Sequence, residues 1–245
     1  MTVAVELRNV IKRYGDVAAV RNVSFVAETG QVFGVLGPSG AGKSTLLRMI
    51  DLLESPDRGE VLLRNCKVSA DARDAHLIRE RIGMVLQKPV VLNRSVANNL
   101  AYSMSIRGWD EKEIAKRVAQ ELKRLGLEGR ARKNARTLSG GEMQRLSFSR
   151  ATVYSPDLLL LDEFAANLDP KNVVLLEDMV RSYLAEDSKR AVVLVTHNIF
   201  QAKRLCHRIA LMWDGEIIEV ADRRKFFENP DDERTAAFVR GDIAF

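Results

Sequence analysis

The stretch that most restricts this chain is residues 32–45, Val-Phe-Gly-Val-Leu-Gly-Pro-Ser-Gly-Ala-Gly-Lys-Ser-Thr. Five apolar residues, 32–36, have the length and character of a strand buried on both faces. They run straight into Gly37, Pro38, Ser39, Gly40, Ala41, Gly42, Lys43 and Ser44, a G-x-x-x-x-G-K-S pattern, and then into an apolar-periodic stretch, 43–53, that predicts a helix. Glycines let successive backbone N–H groups curl inward, and the helix start adds its positive dipole end, so the loop suits a polyanion. Lys43 supplies a point charge to the β- and γ-phosphates of a nucleotide. The Ser44 hydroxyl suits Mg2+, and Thr45 can bond phosphate.

A phosphate-binding loop is shared by many nucleotide enzymes, so the rest of the chain must narrow the choice. Leu158-Leu159-Leu160-Leu161 is a second buried strand, and Asp162 and Glu163 emerge at its end. Asp162 is placed to hold Mg2+ through its water shell, and Glu163 to polarise an attacking water. Upstream, Leu138-Ser139-Gly140-Gly141-Glu142 opens a helix that continues through Gln144 and Arg145. Such a helix start offers free backbone N–H groups and a dipole, a second phosphate-binding element.

Elsewhere the alternation of Val3, Val5 and Leu7, and of Val23 and Phe25, predicts half-buried antiparallel strands. Residues 57–60 read as a turn before a strand at 61–63. The segment 88–153 is mostly helical, with a charged amphipathic run at 111–125. A helix is expected at 171–184, with Val174, Leu175, Met179, Val180 and Tyr183 at helical spacing. A buried strand follows at 191–195, and a hairpin over Asp214-Gly215 joins strands 209–213 and 217–220. Residues 223–245 are too few for a further regulatory domain. The fold class that follows is α/β: a P-loop NTPase core with a mostly parallel sheet, a small antiparallel β-subdomain and an inserted helical subdomain. The single domain is divided as core at 1–87 and 156–245, with the helical subdomain at 88–155.

The 245 residues are 46% hydrophobic and 29% charged, enough apolar content for a real core and against disorder. The net charge of +5 comes from cations interspersed with acids, without a basic block, so nucleic acid is not an expected partner. Cys66 and Cys206 have no metal-type spacing and read as ordinary half-buried thiols in a reducing compartment. The N-terminus has no signal-peptide pattern, and no apolar run reaches the roughly 18–20 residues of a membrane helix.

Taken together, the sequence resembles the nucleotide-binding subunit of ABC transporters over nearly its whole length. Residues 37–45 match that family's Walker A motif, 138–142 its signature motif, and 158–163 its Walker B motif with the catalytic glutamate. The resemblance assigns Gln87 as the Q-loop residue that touches Mg2+ and water. It assigns His197 as the switch histidine at the γ-phosphate and Tyr14 as the aromatic that stacks on adenine. Asn167-Leu168-Asp169 matches the D-loop that crosses to a partner subunit. It implies ATP and Mg2+, a homodimer closing over two nucleotides, membrane-spanning permease subunits and an extracytoplasmic substrate-binding protein. The location implied is the cytoplasmic side of the cell membrane. The family docks a permease helix beside the Q-loop, and the match here is residues 88–93. Residues 87–93, 198–204 and 238–243 resemble the oxyanion-import branch, tungstate importers most, with molybdate and phosphate importers nearby. One departure is the Phe164-Ala165 pair, where the family has proline and then serine or threonine. Two rivals follow: a soluble ABC ATPase serving no transporter, and a structural partner that binds nucleotide without hydrolysing it.

Overall fold

The computed structural model describes residues 2–242. Two long strands, β1 (Val3–Tyr14) and β2 (Val17–Glu28), open the chain, followed by β3 (Val32–Leu36), helix α1 (Lys43–Ile50), β4 (Arg58–Leu63) and β5 (Cys66–Val68). Next come α2 (Ala75–Arg79) and β6 (Ile82–Val85), then a helical stretch of α3 (Val96–Ser105), α4 (Glu111–Leu125) and α5 (Gly140–Thr152). The remainder alternates as β7 (Leu158–Asp162), α6 (Pro170–Ala185), β8 (Ala191–Thr196), α7 (Ile199–Leu205), β9 (Arg208–Trp213) and β10 (Glu216–Asp222). Helices α8 (Arg223–Glu228) and α9 (Glu233–Arg240) close the described chain.

A six-stranded sheet runs in the order β10-β9-β3-β8-β7-β6, parallel throughout except for β10 against β9. A four-stranded antiparallel sheet, β2-β1-β4-β5, lies beside it. The parallel strands alternate their side chains between two cores. Leu159, Leu161, Val192 and Leu194 face the core shared with α3 to α7. Leu158, Leu160, Val193 and Val195 face the core shared with α1 and the antiparallel sheet. Both faces are covered, which is why these strands read as unbroken apolar runs. Phe25 stacks on Phe33 at 4.7 Å between centroids and ties the two sheets together.

Helix α4 illustrates how local signals set boundaries. Asp110 accepts from the backbone N–H of Lys112 and Glu113, acids occupy the first turn and Lys123 and Arg124 the last, and Gly126 ends it at φ 65°. Several expectations need correction. The chain already enters β4 at Arg58, so residues 58–60 are strand, bulged where the β1 register shifts between Arg8 and Ile11. Helix α1 stops at Ile50, because Leu52 takes a left-handed φ of 53°. In α6 the buried face is Leu176, Met179, Val180 and Tyr183, while Val174 and Leu175 are exposed. Neither cysteine is half-buried: Cys206 is fully enclosed and Cys66 exposed. Strand β6 was not anticipated at all. Among the described residues no helix is long and apolar enough to cross a membrane. Of the tail 238–243, Ile243 lies outside the described residues.

Candidate active site

The site forms at the C-terminal ends of β3, β7 and β8, where a parallel sheet leaves a crevice. Residues 37–42 wrap between β3 and α1. A Cβ at Gly42 would lie 2.1 Å from the Ala19 carbonyl, and its φ is 99°, so only glycine fits there. Lys43 is buried, and its ammonium donates to the carbonyls of Gly37 (2.8 Å) and Pro38 (2.7 Å). That pins the cation inside the loop's curl. Burial pushes its pKa below the usual lysine value, opposed by the nearby carboxylates of Glu163 and Asp162. Ala41 is buried behind the loop. Ser39, Gly40, Gly42, Lys43, Ser44 and Thr45 line one wall of a cavity of about 430 Å3 whose other walls include Tyr14, Gln87, Asp162 and Glu163.

Strand β7 delivers the two acids differently. Asp162 still pairs with β8 at Val195, and its carboxylate accepts from the Ser44 hydroxyl at 3.3 Å. Burial raises its pKa, with the Ser44 hydrogen bond acting the other way. At Glu163 the backbone swings to φ 45°, a conformation that costs a non-glycine residue energy and recurs at functional sites. The swing points the carboxylate between two partners. Gln87 Nε2 donates to Oε2 at 3.0 Å, and His197 Nδ1 lies 2.8 Å from Oε1. Gln87 arrives from the end of β6 and His197 from the end of β8, so three adjacent strands converge on one carboxylate.

Ser44, Asp162 and Gln87 offer hard oxygen donors of the kind Mg2+ selects. Among the described residues no cluster of three or more His, Cys, Asp or Glu could form an all-protein metal cage. That composition fits Mg2+, which is held by one or two carboxylates together with substrate phosphates. Tyr14 stands at the cavity rim, 45% exposed, with its hydroxyl anchored to Glu54 and the Lys12 ammonium 5.8 Å from its ring centroid. The ring is therefore available as a stacking platform.

The signature residues sit apart: Ser139, Gly140, Gly141 and Glu142 do not line this cavity. Ser139 caps α5, accepting from the Glu142 N–H, while Glu142 Oε2 accepts from the Ser139 N–H at 3.0 Å, a reciprocal capping box. The Ser139 backbone N–H leads the groups that lower the Glu142 pKa. A Cβ on Gly141 would lie 2.4 Å from the Asn172 side chain, so glycine there lets α6 approach α5. Asn172 in turn donates to Asp169 and accepts from Arg145, linking the signature helix to residues 167–169. Asn167 is left-handed at φ 60°, Leu168 is half-buried, and Asp169 caps α6.

Sequence reasoning missed the burial of Phe164, the place of Asn172 and the role of Gln144. Phe164 is fully buried in the core shared with α3 to α7, so the turn after Glu163 is anchored by packing. An aromatic in place of proline was a visible signal, but its burial was not. Gln144, also buried, donates to the carbonyls of Leu86 and Phe164.

Comparison with known proteins gives the family and the fold. Residues 20–166 match the family model described as ABC transporter. The phosphate import ATP-binding protein PstB 2 of Natronomonas pharaonis is 35% identical over 242 residues, covering 95% of this chain and 84% of the relative. The methionine import ATP-binding protein MetN of Halalkalibacterium halodurans is 37% identical over 237 residues, covering 96% and 70%. Among solved structures, cbiO1 from Clostridium perfringens, part of the ABC transporter complex cbiONQ, superposes with a TM-score of 0.85 at 26% identity, covering 97% of this chain and 95% of that one. The ATP-binding cassette MJ0796, a dimer in a post-hydrolysis state bound to ADP and Pi, gives 0.81 at 32% identity, covering 90% and 99%. The chain belongs to the ABC transporter family, as an ATP-binding cassette with ATPase activity.

Proposed function

We propose that this cassette drives an importer, working as a homodimer at the cytoplasmic face of a membrane with permease subunits and an extracytoplasmic binding protein. The observation that carries the catalytic reading is the Glu163 carboxylate, held between Gln87 and His197 at the mouth of the phosphate loop. In this reading Lys43 binds the β- and γ-phosphates, and Tyr14 stacks on adenine. Ser44, Asp162 and Gln87 would hold Mg2+, which supplies charge neutralisation on the phosphates. Glu163 orients and polarises the attacking water as general base. His197 faces the γ-phosphate and reports its presence to α7, while Gln87 reports it to residues 88–93. Catalysis rests on placement and charge.

The signature residues lie outside the cavity of their own chain, so they serve the nucleotide of a second copy. Two polyanion-binding helix starts on separate faces make ATP the adhesive between copies, and loss of the γ-phosphate releases them. The dimeric state of the MJ0796 cassette supports this arrangement. Beside Gln87, Leu86 and Val90 are exposed and Val91 and Leu92 half-buried, an apolar surface suited to a permease helix.

For cargo, we propose a small oxyanion, with tungstate first on the resemblance of residues 87–93, 198–204 and 238–243, and molybdate and phosphate beside it. The phosphate importer among the relatives supports an oxyanion. The methionine importers favour an amino acid instead and make that the second reading. The experiment is a pull-down of the tagged chain from gently solubilised membranes, followed by titration of the companion binding protein with tungstate, molybdate, phosphate and methionine. Recovery of a polytopic permease supports the importer. Recovery of only soluble partners moves the reading to an ABC ATPase without a transporter.

A further inference from the structure

Gln144 lies one turn into α5, on the helix that begins with the signature residues, and is 1% exposed. Both hydrogens of its amide are used: Nε2 donates to the Leu86 carbonyl at 3.0 Å and to the Phe164 carbonyl at 2.7 Å. Leu86 is the residue before Gln87, and Phe164 the residue after Glu163. One side chain thus grips the peptide next to each member of the Gln87–Glu163 pair, whose own side chains meet at 3.0 Å. Its oxygen, Oε1, is buried with no donor among the described residues. The unpaired oxygen costs stability, while the two donated bonds offset that cost by keeping the Leu86 and Phe164 carbonyls paired. Those same two bonds fix the peptides on either side of the Gln87–Glu163 contact, so the side chain acts on the catalytic array as well as on the fold.

We propose that Gln144 is a positioning residue for ATP hydrolysis. It holds β6's exit and the turn after β7 at fixed separation, so that Gln87 keeps the Glu163 carboxylate aimed, and it makes that aim depend on the placement of the signature helix. A second copy's nucleotide docking on Ser139 to Gly141 acts on the same helix, so closure at one nucleotide is felt at the carboxylate serving the other. This rests on Glu163 being the base that polarises water.

The test uses the full chain with Gln144→Met, Gln144→Glu, Glu163→Gln and the Gln144→Met/Glu163→Gln double variant, reading kcat, KM for ATP and Tm. For Gln144→Met we expect kcat to fall about ten- to a hundredfold, as misplacement of a catalytic group does. KM should stay within about threefold, and Tm should fall by no more than about 8 °C, the cost of two neutral hydrogen bonds in a chain of this size. In the Glu163→Gln background the same change should remove no further rate, because the two act through one group. Gln144→Glu can donate only when its carboxyl is protonated, so its kcat relative to the parent should rise as pH falls. An unchanged kcat in Gln144→Met, a loss carried by KM, additive losses in the double variant, or collapse of Tm in both Gln144 variants would each overturn the proposal. Full turnover by Glu163→Gln overturns the base assignment itself. Loss of turnover there, with normal turnover in Gln144→Met, overturns only the positioning role.

Discussion

Asp51 caps the C-terminal end of α1, the helix that carries Lys43 and Ser44, and replacing it with asparagine should stabilise the protein in a pH-dependent way. Burial pushes the Asp51 carboxyl up from 3.8 to about 7, with the Arg79 charge only partly opposing it. A negative charge at a helix C-terminus also faces the wrong end of the dipole. The unfolded chain releases this proton near pH 4, while the folded one keeps it until about pH 7. Between those values the native state binds more protons, so stability is lost as pH rises through the window, and the whole loss is present above it. At about 1.36 kcal/mol per pKa unit the ceiling is about 4 kcal/mol. Asp51 as a residue is only partly covered, and solvent screening brings the working figure to about 2 kcal/mol. For a chain of this size that is a rise of about 4–8 °C in Tm. Thermal unfolding of the parent and Asp51→Asn, followed by circular dichroism from pH 4.5 to 8.5, should show the smallest difference in Tm at the acid end, an advantage for the variant that grows up to about pH 7, and a plateau above it. A difference that is constant across pH, or that favours the parent at pH 8, refutes the reasoning.

Gly42→Ala should abolish nucleotide binding, because its Cβ meets the Ala19 carbonyl at 2.1 Å and the backbone stays at φ 99°; calorimetric titration with ATP checks this, and parental affinity would count against the loop geometry. The same variant should cost about 1–3 kcal/mol in denaturant unfolding, the usual loss for an overpacked site. Lys43→Ala removes the only buried cation lining the phosphate-loop cavity among the described residues, so affinity for ATP or turnover should drop by at least about a hundredfold. Undiminished turnover would take Lys43 out of the mechanism.

The phosphate loop and the acid pair were legible because each follows a strand buried on both faces. Residues 32–36, with Gly34 inside them, and 158–161 are apolar runs that lead straight into the motifs, and the residues after them must emerge at one edge of the sheet. Strand β6 escaped notice because Ile82-Gly83-Met84-Val85 is only four residues long and leads into no pattern as marked as the phosphate loop or the acid pair. In α6 the sequence Val174-Leu175-Leu176 offers three apolar residues in a row, and periodicity alone does not say which one faces inward. Burial in the core shared with α3 to α7 settles it for Leu176. The Asp57-Arg58-Gly59-Glu60 stretch looks like a turn, yet Gly59 sits in a strand where β1 is bulged. At the site, residue types and order pointed to Asp162, Glu163, Gln87 and His197. What no pattern contained was their mutual geometry, since Gln144 bonds to carbonyls 58 and 20 residues away.

The central claim is that hydrolysis needs two copies of the chain, with Glu163 turning over ATP held between them. Light scattering on Glu163→Gln with ATP and Mg2+ tests it most directly. The account predicts conversion of the 27.5 kDa chain to a species of twice that mass, stable with ATP and dissolved with ADP. A variant that stays at the monomer mass at saturating ATP, while hydrolysing it at the parental rate, would contradict it.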